Sequence, residues 1–194
     1  GHSAAAEMLS KGAVMIVTDH DIKCGKQLVT DNTRLCLARL LNCFYGKPSE
    51  KLGLLAVTGT NGKTTTAHFV KHILTTLGKK CGCVGTAGND TCSGELKPSQ
   101  HGTPTVPRAT VLYSWLGEMV SNGADYCVME ASSQALDQYR IGDERIAVAG
   151  LRILPVITLI ITVRWRIIFR QNGVFSQCAK PVSYTHLRAH ETGR

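Results

Sequence analysis

The sequence of 194 residues contains no Cys-x-x-Cys pair, although it has eight cysteines. Its start shows no basic segment followed by an apolar core, so we expect no secretory signal. Without a secretory context, the cysteines are expected to be free thiols in the reducing cytoplasm. The apolar run at residues 156–163 is far too short to cross a membrane, so we expect no membrane partner.

Acidic residues are scarce at one end of the chain only. The formal net charge is +8, but residues 1–150 carry 15 Lys/Arg and 13 Asp/Glu, whereas residues 151–194 carry seven and one. A nucleic-acid-binding protein is one hypothesis for a basic chain, and it predicts salt-sensitive binding by residues 1–150. Because that part is nearly neutral, we expect no nucleic-acid partner.

Apolar segments alternate between strand-like and helix-like patterns from residue 51 onward. Strands are predicted at LGLLAV, CGCVGTA, DYCVMEAS and RIAVAG, and helices after the first of these and at ATVLYSWLGEMVSNG. On these helices, apolar residues fall on one side: Phe69, Val70, Ile73, Leu74 and Leu77 on the first, and Leu112, Trp115, Leu116, Met119 and Val120 on the second. This alternation predicts an α/β fold with a mainly parallel sheet.

The pattern of the first fifty residues differs from this alternation and predicts a helix, a strand and a second helix. A short helix ends near Gly12 and a buried strand follows at residues 13–17. A second helix begins at a capping residue, Asp31 or Asn32, and ends at Gly46. The segment GKPSEK then resembles a linker.

The segment LAVTGTNGKTTTAHF has the pattern of a phosphate-binding turn between a strand and a helix. Glycine lets the backbone approach an anion, and a helix N-terminus presents unpaired N–H groups. Lys63 is the expected contact to the terminal phosphates of a nucleotide, and the hydroxyl of Thr64 is the expected Mg²⁺ ligand. The loop is shorter than the usual Walker pattern because Val57 stands where that pattern has its first glycine. A plain glycine turn with a surface lysine is the alternative interpretation.

The shortened loop resembles the ATP site of the Mur ligases, the ATP-dependent amide ligases of peptidoglycan synthesis. NCFYGKPSEKLGLLAVTGTNGKTTT, VGTAGN, GTPTVPRATVL and CVMEASSQALDQYRIG resemble segments of the branch that adds a diamino acid to UDP-MurNAc-L-Ala-D-Glu. Gly102 and Gln134 depart from that pattern, which usually has threonine and histidine there. The loop alone is shared with other Mur ligases and with folylpolyglutamate-type ligases, which remain alternatives.

This resemblance implies roles for individual residues. ATP is expected at the loop, which comprises Gly59, Thr60, Asn61, Gly62, Lys63, Thr64 and Thr65. Glu130, at the end of a strand, is expected to bind Mg²⁺ together with Thr64, although a lone acid there is otherwise an ordinary surface residue. Thr103, Ser132 and Arg140 are the expected contacts to the dipeptide substrate. Lys63 and Glu130 are the expected catalytic residues.

The implied reaction is amide synthesis through an acyl phosphate, in which ATP first phosphorylates the D-Glu side chain of the substrate. The amine of meso-diaminopimelate or L-lysine then displaces phosphate. Positioning and charge neutralisation carry most of such a reaction. A nucleotide-binding module without catalysis is the competing hypothesis for this polypeptide, which we expect to be an inactive monomer.

The resemblance ends near Gly150. Residues 151–176 read LRILPVITLIITVRWRIIFRQNGVFS, and a shifted reading frame with permitted codons gives FTNLTRDHIDYHGSMENYFSAKRRFF. The shifted string resembles the continuation of the same ligases, and PVSYTHLRAHETGR resembles adaptor-derived sequence. We therefore interpret the chain as a fragment with three parts: residues 1–49 from an N-terminal UDP-MurNAc-binding domain, residues 50–150 from the central ATP-binding domain, and residues 151–194 without a native arrangement.

His68 and His72 are four residues apart on the helix after the loop, a spacing that zinc binding can use. No third ligand is evident nearby in the sequence. The two side chains are therefore interpreted as part of the helix's outer side.

Overall fold

A computed structural model describes residues 2–59, 61–97, 105–142 and 148–152. Thr60, Thr103 and residues 153–194 therefore lie outside the described residues, together with Gly102 and nearly all of the segment interpreted as frameshifted. Within the described part of the chain, no helix has the length and apolar character needed to cross a bilayer.

The N-terminal segment contains a 3-10 helix (His2–Ala4), one short α-helix and a small parallel sheet. Helix α1 spans Ala5–Ser10, and strands β1 (Ile16–Thr18) and β2 (Gln27–Val29) pair in parallel. The strand predicted at residues 13–17 exists in part, but it spans Ile16–Thr18 and its first two residues are only partly buried. Val14 is 83% exposed, because β1 begins only at Ile16, where β2 provides a partner.

Helix α2 (Thr33–Phe44) begins where the capping pattern predicts. The Asn32 side chain accepts a hydrogen bond from the backbone N–H of Leu35 at 2.9 Å, which satisfies one of the helix's unpaired donors. The helix buries Ala38 in the main core, whereas Phe44 is 80% exposed.

The predicted linker is a short helix, α3 (Pro48–Lys51), and is not an open connection. Proline at its first position has the fixed φ that a helix start requires. Pro48 and Ser49 are buried, so this segment packs against the domain that follows.

The remaining elements confirm the predicted α/β alternation. They are β3 (Gly53–Gly59), α4 (Lys63–Thr76), β4 (Cys81–Val84), β5 (Asn89–Asp90), β6 (Leu96–Lys97), α5 (Ala109–Ser121), β7 (Tyr126–Glu130), α6 (Ser133–Asp137) and β8 (Val148–Arg152).

Six strands of the described chain form one sheet in the order β6-β5-β4-β7-β3-β8. The four strands β4, β7, β3 and β8 are mutually parallel, whereas β5 and β6 pair antiparallel at one edge. The predicted mainly parallel sheet is thus confirmed, and the antiparallel edge was not predicted. Parallel strands of this kind are apolar because helices cover both of their faces.

Helices α5 and α4 cover opposite faces of the sheet. On the α5 side, Leu112, Leu116 and Met119 pack in one cluster with Leu54 and Met129. This confirms the predicted inner face of α5.

On the α4 side, Ala67 packs with Val57 and Val128, joined by the partly buried Val70 and Leu74. The other three apolar residues predicted on that side of α4 are exposed by more than half: Phe69, Ile73 and Leu77.

Strand β8 extends two residues past the predicted domain limit at residue 150. Its backbone pairs in parallel with β3, and Leu151 lies opposite Thr58 while Arg152 lies opposite Gly59. The domain limits at residues 49 and 150 remain predictions.

Candidate nucleotide site

The candidate site lies where the carboxyl ends of three neighbouring parallel strands meet. Strand β7 lies between β3 and β4, and its last residue, Glu130, is in register with Val57 of β3. Val84, the last residue of β4, is opposite Met129. The turns after β3 and β4 therefore flank the end of β7, at the edge where open α/β sheets bind their ligands.

The turn after β3 has the backbone geometry that its glycines predict. Gly59 has a φ of 124° and Gly62 has a φ of 74°, both in the region that favours glycine. Helix α4 begins at Lys63, and its N-cap Gly62 provides no side chain to cap the first turn. The start of α4 therefore presents N–H groups and a partial positive charge toward the turn, which suits a phosphate.

The Lys63 side chain lies over the same turn. Its ammonium donates a hydrogen bond to the carbonyl oxygen of Gly59 at 2.8 Å. The positive charge is thus held beside this turn, at the place where the sequence pattern predicts contact with phosphates.

Thr64 and Glu130 lie in contact although 66 residues separate them in the sequence. The Thr64 hydroxyl donates to Oε2 of Glu130 at 3.0 Å, and Glu130 is only 1% exposed. A hydroxyl oxygen and a carboxylate oxygen beside a phosphate-binding turn match the hard oxygen ligands that Mg²⁺ takes. The structure therefore brings together the two side chains predicted to bind Mg²⁺, and their chemistry fits that ion.

The sequence did not predict that Thr86, after β4, also contacts this pair. Its backbone N–H donates to Oε1 of Glu130 at 3.0 Å, and its hydroxyl lies 2.9 Å from the Thr64 hydroxyl. The preceding Gly85 is required by space, since a Cβ there would lie 2.2 Å from Oε1 of Glu130. The segment VGTAGN carried this signal, but only the sheet order brings it to β7.

Ser132 is the N-cap of α6. Its hydroxyl oxygen accepts a hydrogen bond from the backbone N–H of Ala135 at 3.1 Å, so its proton remains available to donate elsewhere. Its predicted contact with substrate stays a prediction.

Arg140 donates to one backbone acceptor just before α5 and to one side-chain acceptor just after α6. One terminal nitrogen donates to the carbonyl oxygen of Val106 at 2.8 Å, and the other two guanidinium donors contact Oε1 of Gln138. Burial lowers the pKa of the Arg140 guanidinium, and the charges of Arg108 and Arg34 lower it further. Three guanidinium groups near one another make this region attractive to an anion.

The other predicted site residues lie in less informative positions. Asn61 and Thr65 are exposed at the turn, whereas Thr60 and Thr103 lie outside the described residues. His68 and His72 are both exposed on α4, and no cluster of three or more metal-ligating side chains occurs among the residues that the structure describes.

A parallel sheet whose first long strand runs through a glycine turn into a helix defines an α/β domain of the P-loop class. Comparison with known proteins gives the family. Residues 57–152 match the family model described as the Mur ligase middle domain. The predicted resemblance is therefore confirmed, and these residues belong to the Mur ligase family.

Curated relatives support the same family. The chain is 38% identical over 142 residues to the UDP-N-acetylmuramoyl-L-alanyl-D-glutamate--2,6-diaminopimelate ligase of Geobacillus thermodenitrificans, a match that covers 73% of this chain. It is 39% identical over 145 residues to the ligase of the same name from Bacillus cereus, covering 72% of this chain. The chain spans 28% of the length of each of these relatives.

A solved structure of a ligase with this same name is similar to the protein, with a TM-score of 0.68 and 25% sequence identity. The superposition covers 89% of this chain and 36% of that one.

Proposed function

We propose that residues 50–150 are the MgATP-binding domain of an ATP-dependent amide ligase, which joins a diamino acid to UDP-MurNAc-L-Ala-D-Glu. The observation that carries this proposal is the contact of Thr64 with Glu130 beside a glycine turn that opens a helix. The matched ligases are named for 2,6-diaminopimelate, which favours diaminopimelate over lysine as the amino acid.

The turn and the start of α4 bind the phosphates of ATP in this proposal. The Lys63 ammonium exchanges the neutral carbonyl oxygen of Gly59 for a charged phosphate oxygen, since hydrogen bonds between ionised partners are the stronger ones. Thr64 and Glu130 hold Mg²⁺, which when bound neutralises charge on the transferred phosphoryl group.

The substrate contacts fall to Thr103, Ser132 and Arg140. Arg140 is the residue best suited to the dipeptide carboxylates, because a guanidinium fork pairs with a carboxylate through two parallel hydrogen bonds. Arg108 and Arg34 strengthen the positive potential that draws the substrate to it.

The proposed reaction needs no covalent bond to the protein. An oxygen of the D-Glu side-chain carboxylate attacks the γ-phosphorus of ATP, which forms an acyl phosphate and releases ADP. The amine of the diamino acid then attacks the acyl carbon, forms the amide bond and expels inorganic phosphate. The protein holds the reactants in line and excludes water, which are contributions that positioned side chains and backbone donors supply.

A nucleotide-binding module without turnover is the second candidate for this polypeptide, because the chain spans 28% of the length of its relatives. The test incubates the 194-residue protein with ATP, Mg²⁺, UDP-MurNAc-L-Ala-D-Glu and diaminopimelate, and measures ATP binding, phosphate release and tripeptide formation. We expect Mg²⁺-dependent ATP binding without phosphate release. Tripeptide formation would overturn the second candidate, and absence of ATP binding would overturn both.

We further propose a cytoplasmic monomer with neither nucleic-acid nor membrane partners. Sedimentation at several protein concentrations tests the oligomeric state, and a mass that rises with concentration would contradict it.

A further inference from the structure

The Thr86 side chain lies at the centre of the candidate site, but the proposed function gives this residue no role. Its hydroxyl lies 3.2 Å and 3.3 Å from the two carboxylate oxygens of Glu130 and 2.9 Å from the hydroxyl of Thr64. Thr86 is exposed, whereas Glu130 is only 1% exposed. Thr86 therefore stands between the buried carboxylate and the accessible side of the site.

The backbone around Thr86 is fixed by its own contacts. The Asn89 side chain, itself buried, accepts a hydrogen bond from the N–H of Gly85 at 3.1 Å. The N–H of Thr86 donates to Oε1 of Glu130 at 3.0 Å. The start of the turn after β4 is thus attached to both Asn89 and Glu130, which holds the Thr86 hydroxyl close to the carboxylate.

The number of hydroxyl protons limits which hydrogen bonds Thr64 and Thr86 can make. Thr64 and Thr86 each have one hydroxyl proton. When Thr64 donates to Oε2 of Glu130, the 2.9 Å contact between the hydroxyls is a hydrogen bond only if Thr86 donates to Thr64. That bond occupies one of the two lone pairs of the Thr64 oxygen.

A metal ion at Thr64 would use the second lone pair of the same oxygen. The Thr86 proton has an alternative acceptor in Oε1 of Glu130, at 3.2 Å. In either orientation the Thr86 hydroxyl donates to one of the two side chains that would hold the metal, with no movement of the backbone.

We propose that Thr86 is a positioning residue of the metal site, whose N–H orients the Glu130 carboxylate and whose hydroxyl donates to Thr64 or Glu130, the two residues that would hold the metal. This inference rests on the proposed function, because it concerns the same Mg²⁺. Partners that orient metal ligands typically change metal affinity about 10- to 100-fold when they are mutated.

The test compares Thr86→Val, which removes the hydroxyl but keeps the shape and the backbone N–H, with Thr86→Ser, which keeps the hydroxyl. The probe is Mn²⁺, followed by its electron paramagnetic resonance in the presence of a non-hydrolysable ATP analogue. We expect Thr86→Val to weaken Mn²⁺ binding about tenfold and Thr86→Ser to stay within about twofold of the wild type. Nucleotide affinity measured in EDTA should be unchanged in both variants.

Thermal unfolding is the control for folding, and Thr86→Ala replaces Thr86→Val as the readout if the valine variant melts at a lower temperature. Equal Mn²⁺ affinity of the hydroxyl-free variant and the wild type would overturn the role of Thr86 while leaving the proposed function intact. A wild type without metal-dependent nucleotide binding would overturn both.

Discussion

Substitution of Gly85 by alanine is the sharpest structural perturbation of the candidate site. A Cβ at this position would lie 2.2 Å from Oε1, 2.9 Å from Cδ and 3.1 Å from Cγ of Glu130. Ordinary contact between such atoms begins at roughly 3.4 Å, so the carboxylate has to move by about 1 Å. Glu130 cannot turn away at low cost, since it is buried and hydrogen-bonded to Thr86 and Thr64.

The expected cost follows from these contacts. Overpacking in a well-packed interior costs about 1–3 kcal/mol, so we expect Gly85→Ala to reduce the free energy of unfolding by about 2 kcal/mol. For a protein of this size that corresponds to a fall of about 4–8 °C in melting temperature. The displaced carboxylate should also weaken Mg²⁺-dependent ATP binding by about tenfold or more, because ligand geometry decides metal affinity.

The assay measures thermal unfolding and ATP binding, with and without Mg²⁺, for Gly85→Ala and for Gly117→Ala. Gly117 lies inside α5, where a Cβ would be 3.3 Å from the Tyr45 side chain, and alanine gains helix propensity there. We expect this control to keep ATP binding and a melting temperature close to that of the wild type. Unchanged stability and unchanged Mg²⁺ dependence in Gly85→Ala would refute the packing argument.

Two further predictions concern ionisation. Burial raises the pKa of the Cys81 thiol to about 12. At pH 8 a thiol reagent should therefore modify the exposed Cys43 rapidly and leave Cys81 unmodified in the native protein. Equal labelling rates of the two cysteines in mass spectrometry would contradict this prediction. The hydrogen bond from Lys97 lowers the pKa of the Glu118 carboxyl in the folded protein. This pair therefore stabilises the fold at pH values above the unfolded-state pKa of Glu118. The stabilisation is lost as the pH falls through the lower pKa of the folded state. Glu118→Gln should therefore flatten the acid limb of the stability–pH curve, and an unchanged limb would count against the pair.

The sequence sufficed to predict the local parts of the candidate site. The glycine turn and the start of α4 follow from a short pattern whose geometry is decided by neighbouring residues. Glu130 was located because it ends an apolar strand beside residues that resemble a known signature. Asn32 is one of the two N-cap residues that the sequence predicts for α2. Such a cap depends only on local sequence, because its side chain binds a backbone N–H three residues further along the chain.

The parts that the sequence did not predict depend on long-range pairing. Thr86 is 44 residues from Glu130, and only the strand order β4-β7-β3 brings them together. The spacing of apolar residues in α4 does not show which side of the helix faces the sheet. Phe69 is exposed, whereas Ala67 is buried. The composition around Pro48 is typical of a linker, but proline is also favourable in the first turn of a helix, where the structure has it.

The most direct test of the central claim is the Mg²⁺ dependence of ATP binding by the 194-residue protein, measured by titration calorimetry for wild type, Glu130→Gln and Lys63→Ala. Glu130→Gln keeps the shape of the side chain and removes its charge, and Lys63→Ala removes the ammonium at the turn. We predict that Mg²⁺ strengthens ATP binding by the wild type, that Glu130→Gln abolishes this gain, and that Lys63→Ala weakens binding with or without the metal. Binding by both variants that is indistinguishable from the wild type would contradict the assignment of this turn as the nucleotide site.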